Sequence, residues 1–380
     1  MDKLKALVVD DSVLYRKILT DILSTIPDIE VAGTAHNGKA AIEKVRQLKP
    51  DFITLDFEMP ELDGIETLKK LKEISPETMT VMVSAHTKTG AAITMRALEE
   101  GAFDFIAKPE TRNIQDSKEL LLKQLNPIIN VISTRLKLGN AVMPLARRIE
   151  KSAMATSAAT NPRVTEEIIS SSNDIKKRMK AIISPGANRI DIVAIGISTG
   201  GPNALSKMLP MLPADFKVPI VIVQHMPPVF TNALAESLTK KSKLRAVEGA
   251  EGMLLEAGKV YIAPGGKQMK LEKDESRQIR ISITDAPPEN NCRPSADYLF
   301  RSVAKCYGNN ALGVIMTGMG SDGTKGLIIM KKLGAKVIAQ DERSCIVFGM
   351  PMEAIKAGVA DIIAPLENIA GEILDAVNAR

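Results

Sequence analysis

Histidine is scarce in this chain: three residues in 380, and only His225 lies beyond position 86. Any neutral-pH proton transfer by histidine in the C-terminal half therefore has a single candidate. Tryptophan is absent and aromatics make up 3%, so the cores must be built from the aliphatics that dominate the 45% apolar content. No apolar run approaches the ~18 residues that span a bilayer, so no direct membrane insertion is expected. The apolar run before Asp10 and Asp11 is too short for a secretory signal. Three cysteines, Cys292, Cys306 and Cys345, are odd in number and lack zinc-site spacing. They read as reduced thiols of a cytoplasmic protein.

The net charge of +5 is unevenly spread. Between Asn126 and Ile190 stand 11 Lys/Arg against 4 Asp/Glu, which leaves the rest of the chain at −2. One segment is basic and its flanks are near neutral, which argues against nucleic-acid binding and for a linker. Neither a helix-turn-helix nor a basic second domain is visible for DNA output.

The length suits two domains. Apolar runs at Leu4–Val9, Ile29–Ala35, Phe52–Leu55, Thr80–Val83 and Phe103–Ile106 alternate with amphipathic stretches of helical length. Five βα repeats predict a parallel sheet with helices on both faces. A fifth helix should begin near Asn113 and be kinked or ended by Pro127. Residues 1–125 form the first expected domain and 126–188 a basic, low-complexity linker with one or two fragile helices. A second α/β domain is expected over 189–380. Its strands are predicted at Ile192–Ile197, Ile220–Gln224, Val260–Ala263, Ile279–Ile283, Ala311–Met316, Lys336–Gln340 and Asp361–Ala364.

Asp10 and Asp11 end the first strand, Asp56 the third, Ser84 the fourth and Lys108 the fifth. In a parallel α/β sheet the binding crevice opens at the carboxyl ends of the strands. Three carboxylates converging there suit Mg²⁺, and a hydroxyl and an ammonium on the same rim suit phosphoryl oxygens. Singly, each has a bland explanation as a helix cap or a strand exit. Together they resemble the receiver domain of response regulators, which has a flavodoxin-like five-stranded sheet. The resemblance implies that Asp56 accepts a phosphoryl group from a histidine kinase. It further implies that Asp10, Asp11, Asp56 and the Glu58 carbonyl hold Mg²⁺, that Ser84 and Phe105 take the switch positions, and that Lys108 contacts the phosphoryl oxygens.

In the second half, Gly196-Ile197-Ser198-Thr199-Gly200-Gly201 places a serine at a strand-to-helix turn. The pattern fits a nucleophile elbow better than a dinucleotide loop, because Ser198 replaces the second glycine of that fingerprint. Gln224 and His225 also stand where an acidic ribose ligand would be needed. His225 ends the next strand, and Asp322 lies in the turn Gly318-Met319-Gly320-Ser321-Asp322-Gly323. A buried structural histidine and an ordinary turn aspartate are the bland alternatives. Asp285, Asp297 and Asp341 compete for the acidic role. A Cys–His pair using Cys292 or Cys345 is a further alternative, although neither cysteine sits in a glycine-rich elbow.

Joined to a receiver, these motifs resemble the chemotaxis protein-glutamate methylesterases. The likeness extends to Ile262–Gly266, Cys292–Tyr298 and Val347–Pro351. It implies a Rossmann-like domain in which Ser198 is the nucleophile, His225 the base and Asp322 its orienter, with amides of Thr199 and Met319 as oxyanion donors. The reaction needs no cofactor. The implied substrate is a γ-glutamyl methyl ester on the cytoplasmic part of a chemoreceptor, with glutamine deamidation as a slower second activity. Two positions depart from the pattern: Gln268 stands where histidine is expected, and Met352 where a basic residue is usual. The rival from another class is a response regulator whose second domain binds a nucleotide or scaffolds partners without chemistry.

Overall fold

The computed structural model describes residues 3–109, 111, 113–141 and 189–379. The N-terminal part is a five-stranded sheet, β1 (Leu4–Val9), β2 (Ile29–Ala35), β3 (Phe52–Asp56), β4 (Met79–Ala85) and β5 (Asp104–Lys108). All pairings are parallel in the order β2-β1-β3-β4-β5. Helices α1 (Val13–Ser24), α2 (Gly38–Leu48), α3 (Gly64–Ile74), α4 (Lys88–Glu99) and α5 (Ile114–Ala141) cover both faces. Polar side chains cap the first four: Ser12, Asn37, Asp63 and Thr87 each accept an orphan first-turn amide.

Pro127 neither ends nor interrupts α5, which runs on for 28 residues. The proline removes one helical hydrogen bond, at about 3 kcal/mol. Leu121, Leu125, Ile128, Ile129 and Ile132 are all buried on the helix's core face and hold it through that defect. The beginning of the expected linker, residues 126–141, is therefore helix. Residues 142–188 lie outside the described residues.

The C-terminal part is built on seven strands: β6 (Ile192–Ile197), β7 (Ile220–Gln224), β8 (Arg245–Glu248), β9 (Lys259–Ile262), β12 (Ala311–Ile315), β13 (Lys336–Gln340) and β14 (Ile362–Ala364). They pair in parallel in the order β14-β13-β12-β6-β7-β9-β8. An antiparallel hairpin, β10 (Gln268–Lys273) with β11 (Ile279–Thr284), stands apart from this sheet. Helices α6 (Gly201–Met208), α7 (Phe230–Lys241), α8 (Ala296–Tyr307), α9 (Thr324–Lys332), α10 (Met350–Lys356) and α11 (Leu366–Asn378) complete it. Both domains are thus doubly wound parallel α/β sheets, as expected. β8 and β10 were not expected. The first is a short edge strand, and the second joins buried Gln268, Met269 and Leu271 to exposed Glu272 and Lys273.

The strand order reverses at β6, whose neighbours β7 and β12 lead away in opposite directions. Ligand crevices in open α/β sheets lie at such a switch point, beyond the carboxyl ends of the strands. Ser198 follows β6, His225 follows β7, and Thr317 to Asp322 follow β12.

Candidate active site and phosphoryl-acceptor site

Gly201 donates to the Ser198 carbonyl (2.7 Å), closing the turn from β6 into α6, and the Ser198 amide donates to Thr317 O (3.0 Å). Gly200 takes φ 77°, a conformation that costs glycine little. Gly318 permits the closest approach: a Cβ there would lie 2.8 Å from Ser198 Cβ and 2.4 Å from Met350 Sδ. Gln224 Nε2 donates to the Ser198 carbonyl (2.9 Å), tying the serine turn to the histidine strand.

His225 Nε2 lies 2.7 Å from Asp322 Oδ2. Four further donors converge on the same carboxylate. Asn290 Nδ2 (2.9 Å), Ser295 Oγ (2.7 Å) and the Asp297 amide (3.2 Å) reach Oδ1, and the Ala296 amide (2.6 Å) reaches Oδ2. Two of these are first-turn amides of α8, whose positive end favours an anion. Asp322 is 2% exposed. Burial alone would raise its pKa, but the hydrogen bonds from His225, Ser295 and Ala296 outweigh burial and hold it down at about 2. For His225, burial opposes the cation, but the contacts with Asp322 and Cys292 dominate and raise it to about 10.

In the neutral ring, with Nε2–H donated to the carboxylate, Nδ1 is the nitrogen that presents a lone pair. Nδ1 faces Cys292 Sγ at 3.6 Å. Among the described residues, the Ser198 hydroxyl and the amides of Thr199 and Met319 have no hydrogen-bond partner. Of the competing acids, Asp285 pairs with Lys267, Asp341 with Ser344, and Asp297 with Gly326 and Asn290. The structure thus brings Asp322 to His225. Sequence reasoning missed Asn290 and Ser295, which hold Asp322. It also missed the structural work of Gln268, which is fully buried. Gln268 accepts from the Ser295 amide (2.8 Å) and donates to Pro287 O (3.2 Å), fixing the loop that carries Cys292. Met352 lines a cavity of about 550 Å³ beside Met319 and Arg135.

On the first sheet, Lys108 Nζ lies 2.9 Å from Asp56 Oδ1 and 3.0 Å from Asp10 Oδ2. The Asp10 oxygen is buried and, for all its ionic neighbour, accepts no properly aimed hydrogen bond. Carboxylate oxygens of Asp10, Asp11 and Asp56 lie within 4.8 Å of one another, a hard-oxygen set that fits a divalent cation. Burial raises Asp56 to about 6 against the pull of Lys108. Asp56, Glu58, Ser84 and Lys108 line one small cavity. The Ser84 hydroxyl is meanwhile bonded to Gly90 O at 3.1 Å.

The two domains touch beside this rim. Phe105 packs on Phe230 with ring centroids 4.6 Å apart, and His86 Nε2 meets Pro228 O at 2.9 Å. Glu99 on α4 binds both Lys241 and Ser237 on α7, each at 2.7 Å. Val229, between Pro228 and Phe230, has φ 73°, a strained conformation for a β-branched residue.

Comparison with known proteins fits this geometry. The CheB methylesterase pattern matches residues 193–373, and the response regulator receiver pattern matches residues 6–117. Over 380 residues the chain is 48% identical to a protein-glutamate methylesterase/protein-glutamine glutaminase of Desulfotalea psychrophila, covering 99% of each. The chain belongs to the CheB methylesterase family. Proteins of the same name from Trichodesmium erythraeum (42% identical, 98% of this chain and 99% of the relative) and Bacillus subtilis (41%, 98% of each) align with it over nearly their full length. It is thus a hydrolase joined to a response-regulator receiver. No helix among the described residues is long and apolar enough to cross a membrane.

Proposed function

We propose that this CheB methylesterase hydrolyses γ-glutamyl methyl esters on the cytoplasmic part of chemoreceptors, releasing methanol, under control of phosphorylation at Asp56. The observation that carries the reading is the five-donor clasp on Asp322, which orients His225; the His225 amide in turn donates to Ile197 O, one residue before Ser198, at 3.2 Å.

In the reaction, Ser198 Oγ attacks the ester carbonyl while His225 Nδ1 takes its proton. Asp322 holds the tautomer and stabilises the imidazolium. The oxyanion meets the amides of Thr199 and Met319, worth of order 3 kcal/mol per donor when aligned. His225 returns its proton to the methoxide, methanol leaves, and water repeats the cycle to free the glutamate. Hydrogen bonds of this kind are often long in ligand-free enzymes and tighten with substrate, so Ser198 needs no partner beforehand. A glutamine amide follows the same route more slowly, because an amide is a poorer electrophile.

Asp56 takes a phosphoryl group from a histidine kinase. Mg²⁺, which would be held by Asp10, Asp11, Asp56 and the Glu58 carbonyl, supplies charge neutralisation at the acceptor. Lys108 contacts the phosphoryl oxygens, and Ser84 and Phe105 respond as switch residues. The receiver restrains the enzyme, a reading supported by the packing of Phe105 on Phe230, and roughly two added negative charges at Asp56 shift it off that contact.

The test is methanol release from methylated receptor with and without a phosphoryl donor. Wild type releases methanol faster with the donor, Asp56→Asn loses the stimulation, and Ser198→Ala and His225→Ala lose the activity. Wild-type rates in both latter variants would favour a second domain that binds a ligand without chemistry.

A further inference from the structure

We propose that the His225–Cys292 pair is a binding site for a soft divalent cation of the zinc type, and that occupancy reversibly switches the esterase off. The switching rests on the functional reading above; the metal site does not.

The distances fit such an ion. Zinc bonded to a thiolate at about 2.3 Å and an imidazole at about 2.0 Å at the tetrahedral angle sets the two ligand atoms about 3.5 Å apart. Cys292 Sγ and His225 Nδ1 are 3.6 Å apart. The tautomer fits as well. Metal-bound histidines commonly donate their other N–H to a carboxylate, which orients the ring and strengthens the ligand. Asp322 does this at Nε2. Asp322 lies within 4.8 Å of the other two ligand atoms, yet both its oxygens are already occupied by five donors. It therefore acts as an orienting group, and water completes the coordination.

Binding displaces the protons on the Cys292 thiol and on His225 Nδ1 to solvent and blocks Nδ1, the atom that must accept the Ser198 proton. Two strong protein ligands give a reversible site, in contrast to the closed four-ligand sites that hold structural zinc. The loop carrying Cys292 is braced for the task by Gln268, whose amide reaches the Cys292 carbonyl at 3.4 Å. The other two thiols lie elsewhere: Cys306 is bonded to Leu271 O, and Cys345 lines the separate cavity with Met352 and Arg135. The 67 positions that separate His225 from Cys292 hide the pair from any spacing motif.

The experiment titrates the reduced full-length chain with Co²⁺ as a spectroscopic stand-in, with excess Mg²⁺ to occupy the receiver carboxylates. Thiolate–cobalt charge-transfer absorption reports only sulfur ligation. Wild type and the Cys306→Ala/Cys345→Ala double variant should develop the band to one equivalent and lose it on adding Zn²⁺. Cys292→Ala should lack it, and Asn290→Ala should need roughly 10-fold more metal, as loss of an outer hydrogen bond typically causes. A band that persists in Cys292→Ala, or none in wild type and the double variant alike, overturns the site. Methanol release on the same samples should fall with Zn²⁺ and return with a chelator. Full activity in the zinc-loaded chain would overturn the switch. A chain that forms the band yet releases no methanol under any condition would instead defeat the esterase reading and leave the metal site standing.

Discussion

Phe105 on β5 of the receiver and Phe230 at the start of α7 pack ring on ring, 4.6 Å between centroids, five residues downstream of His225. This contact links Phe105, the proposed switch residue, to the strained segment, Val229 included, that leaves the histidine strand. A change at Asp56 thus has a short mechanical route to the active site.

Removing the Phe105 ring should loosen that link. An aromatic pair contributes about 0.5–1.5 kcal/mol beyond its buried area. Phe105→Ala is therefore expected to raise methanol release without phosphoryl donor by about 2- to 10-fold, and to shrink the further stimulation by donor. A lower unstimulated rate would contradict a restraining receiver, as would an unchanged rate after deletion of residues 1–188.

The clasp on Asp322 predicts a particular kinetic signature. Ser295→Ala and Asn290→Ala each remove a hydrogen bond to a charged group, worth about 1.5–3 kcal/mol. Because Asp322 acts on His225 and not on substrate, kcat should drop by about 10- to 100-fold while KM changes little. A KM effect alone would move these residues from orienting the acid to binding the receptor.

Gly318→Ala forces a Cβ into Ser198 and Met350. Misplacing a reacting group by about 1 Å can cost on the order of 100-fold. The variant should fold, with a lowered thermal midpoint, and lose about that much activity. Wild-type turnover would show that Ser198 need not be held against β12.

Asp104 supplies a pH dependence with a definite sign. It stands on β5 against Thr199, and burial raises it to about 6 despite hydrogen bonds from the Phe105 amide and Thr199. A carboxyl raised by folding binds its proton more tightly in the folded state, so stability is greatest at low pH and lost as pH rises through about 6. Thermal midpoints of wild type and Asp104→Asn should accordingly diverge between pH 5 and pH 8, with the variant relatively more stable at the higher pH. A difference that does not vary with pH would exclude Asp104 as the titrating group.

Much of this was legible in the sequence. Continuous apolar runs marked the central strands, and Asp10, Asp56, Ser84 and Lys108 announced themselves by ending four of them. Ser198 and His225 stood out by the same strand-end logic, whereas the choice of Asp322 over Asp285, Asp297 and Asp341 rested on the family resemblance; the structure sets Asp322 against His225. What escaped has physical reasons. β8 is a short edge strand and β10 mixes buried with exposed charged residues, so neither stands out from loop, and Pro127 does not end α5 because the packed face of the helix outweighs the lost hydrogen bond. Asn290, Ser295 and Gln268 act through contacts that only the fold assembles. So does Cys292, which the sequence offered as a rival nucleophile and the structure places at Nδ1 of the same histidine.

That rivalry makes one measurement decisive. The full chain mixed with a γ-glutamyl methyl ester peptide and quenched within a single turnover should carry an acyl adduct, located by peptide mass spectrometry. The account predicts the adduct on the peptide containing Ser198, lost in Ser198→Ala and retained in Cys292→Ala. An adduct on Cys292, or methanol released at the wild-type rate by Ser198→Ala, would contradict it.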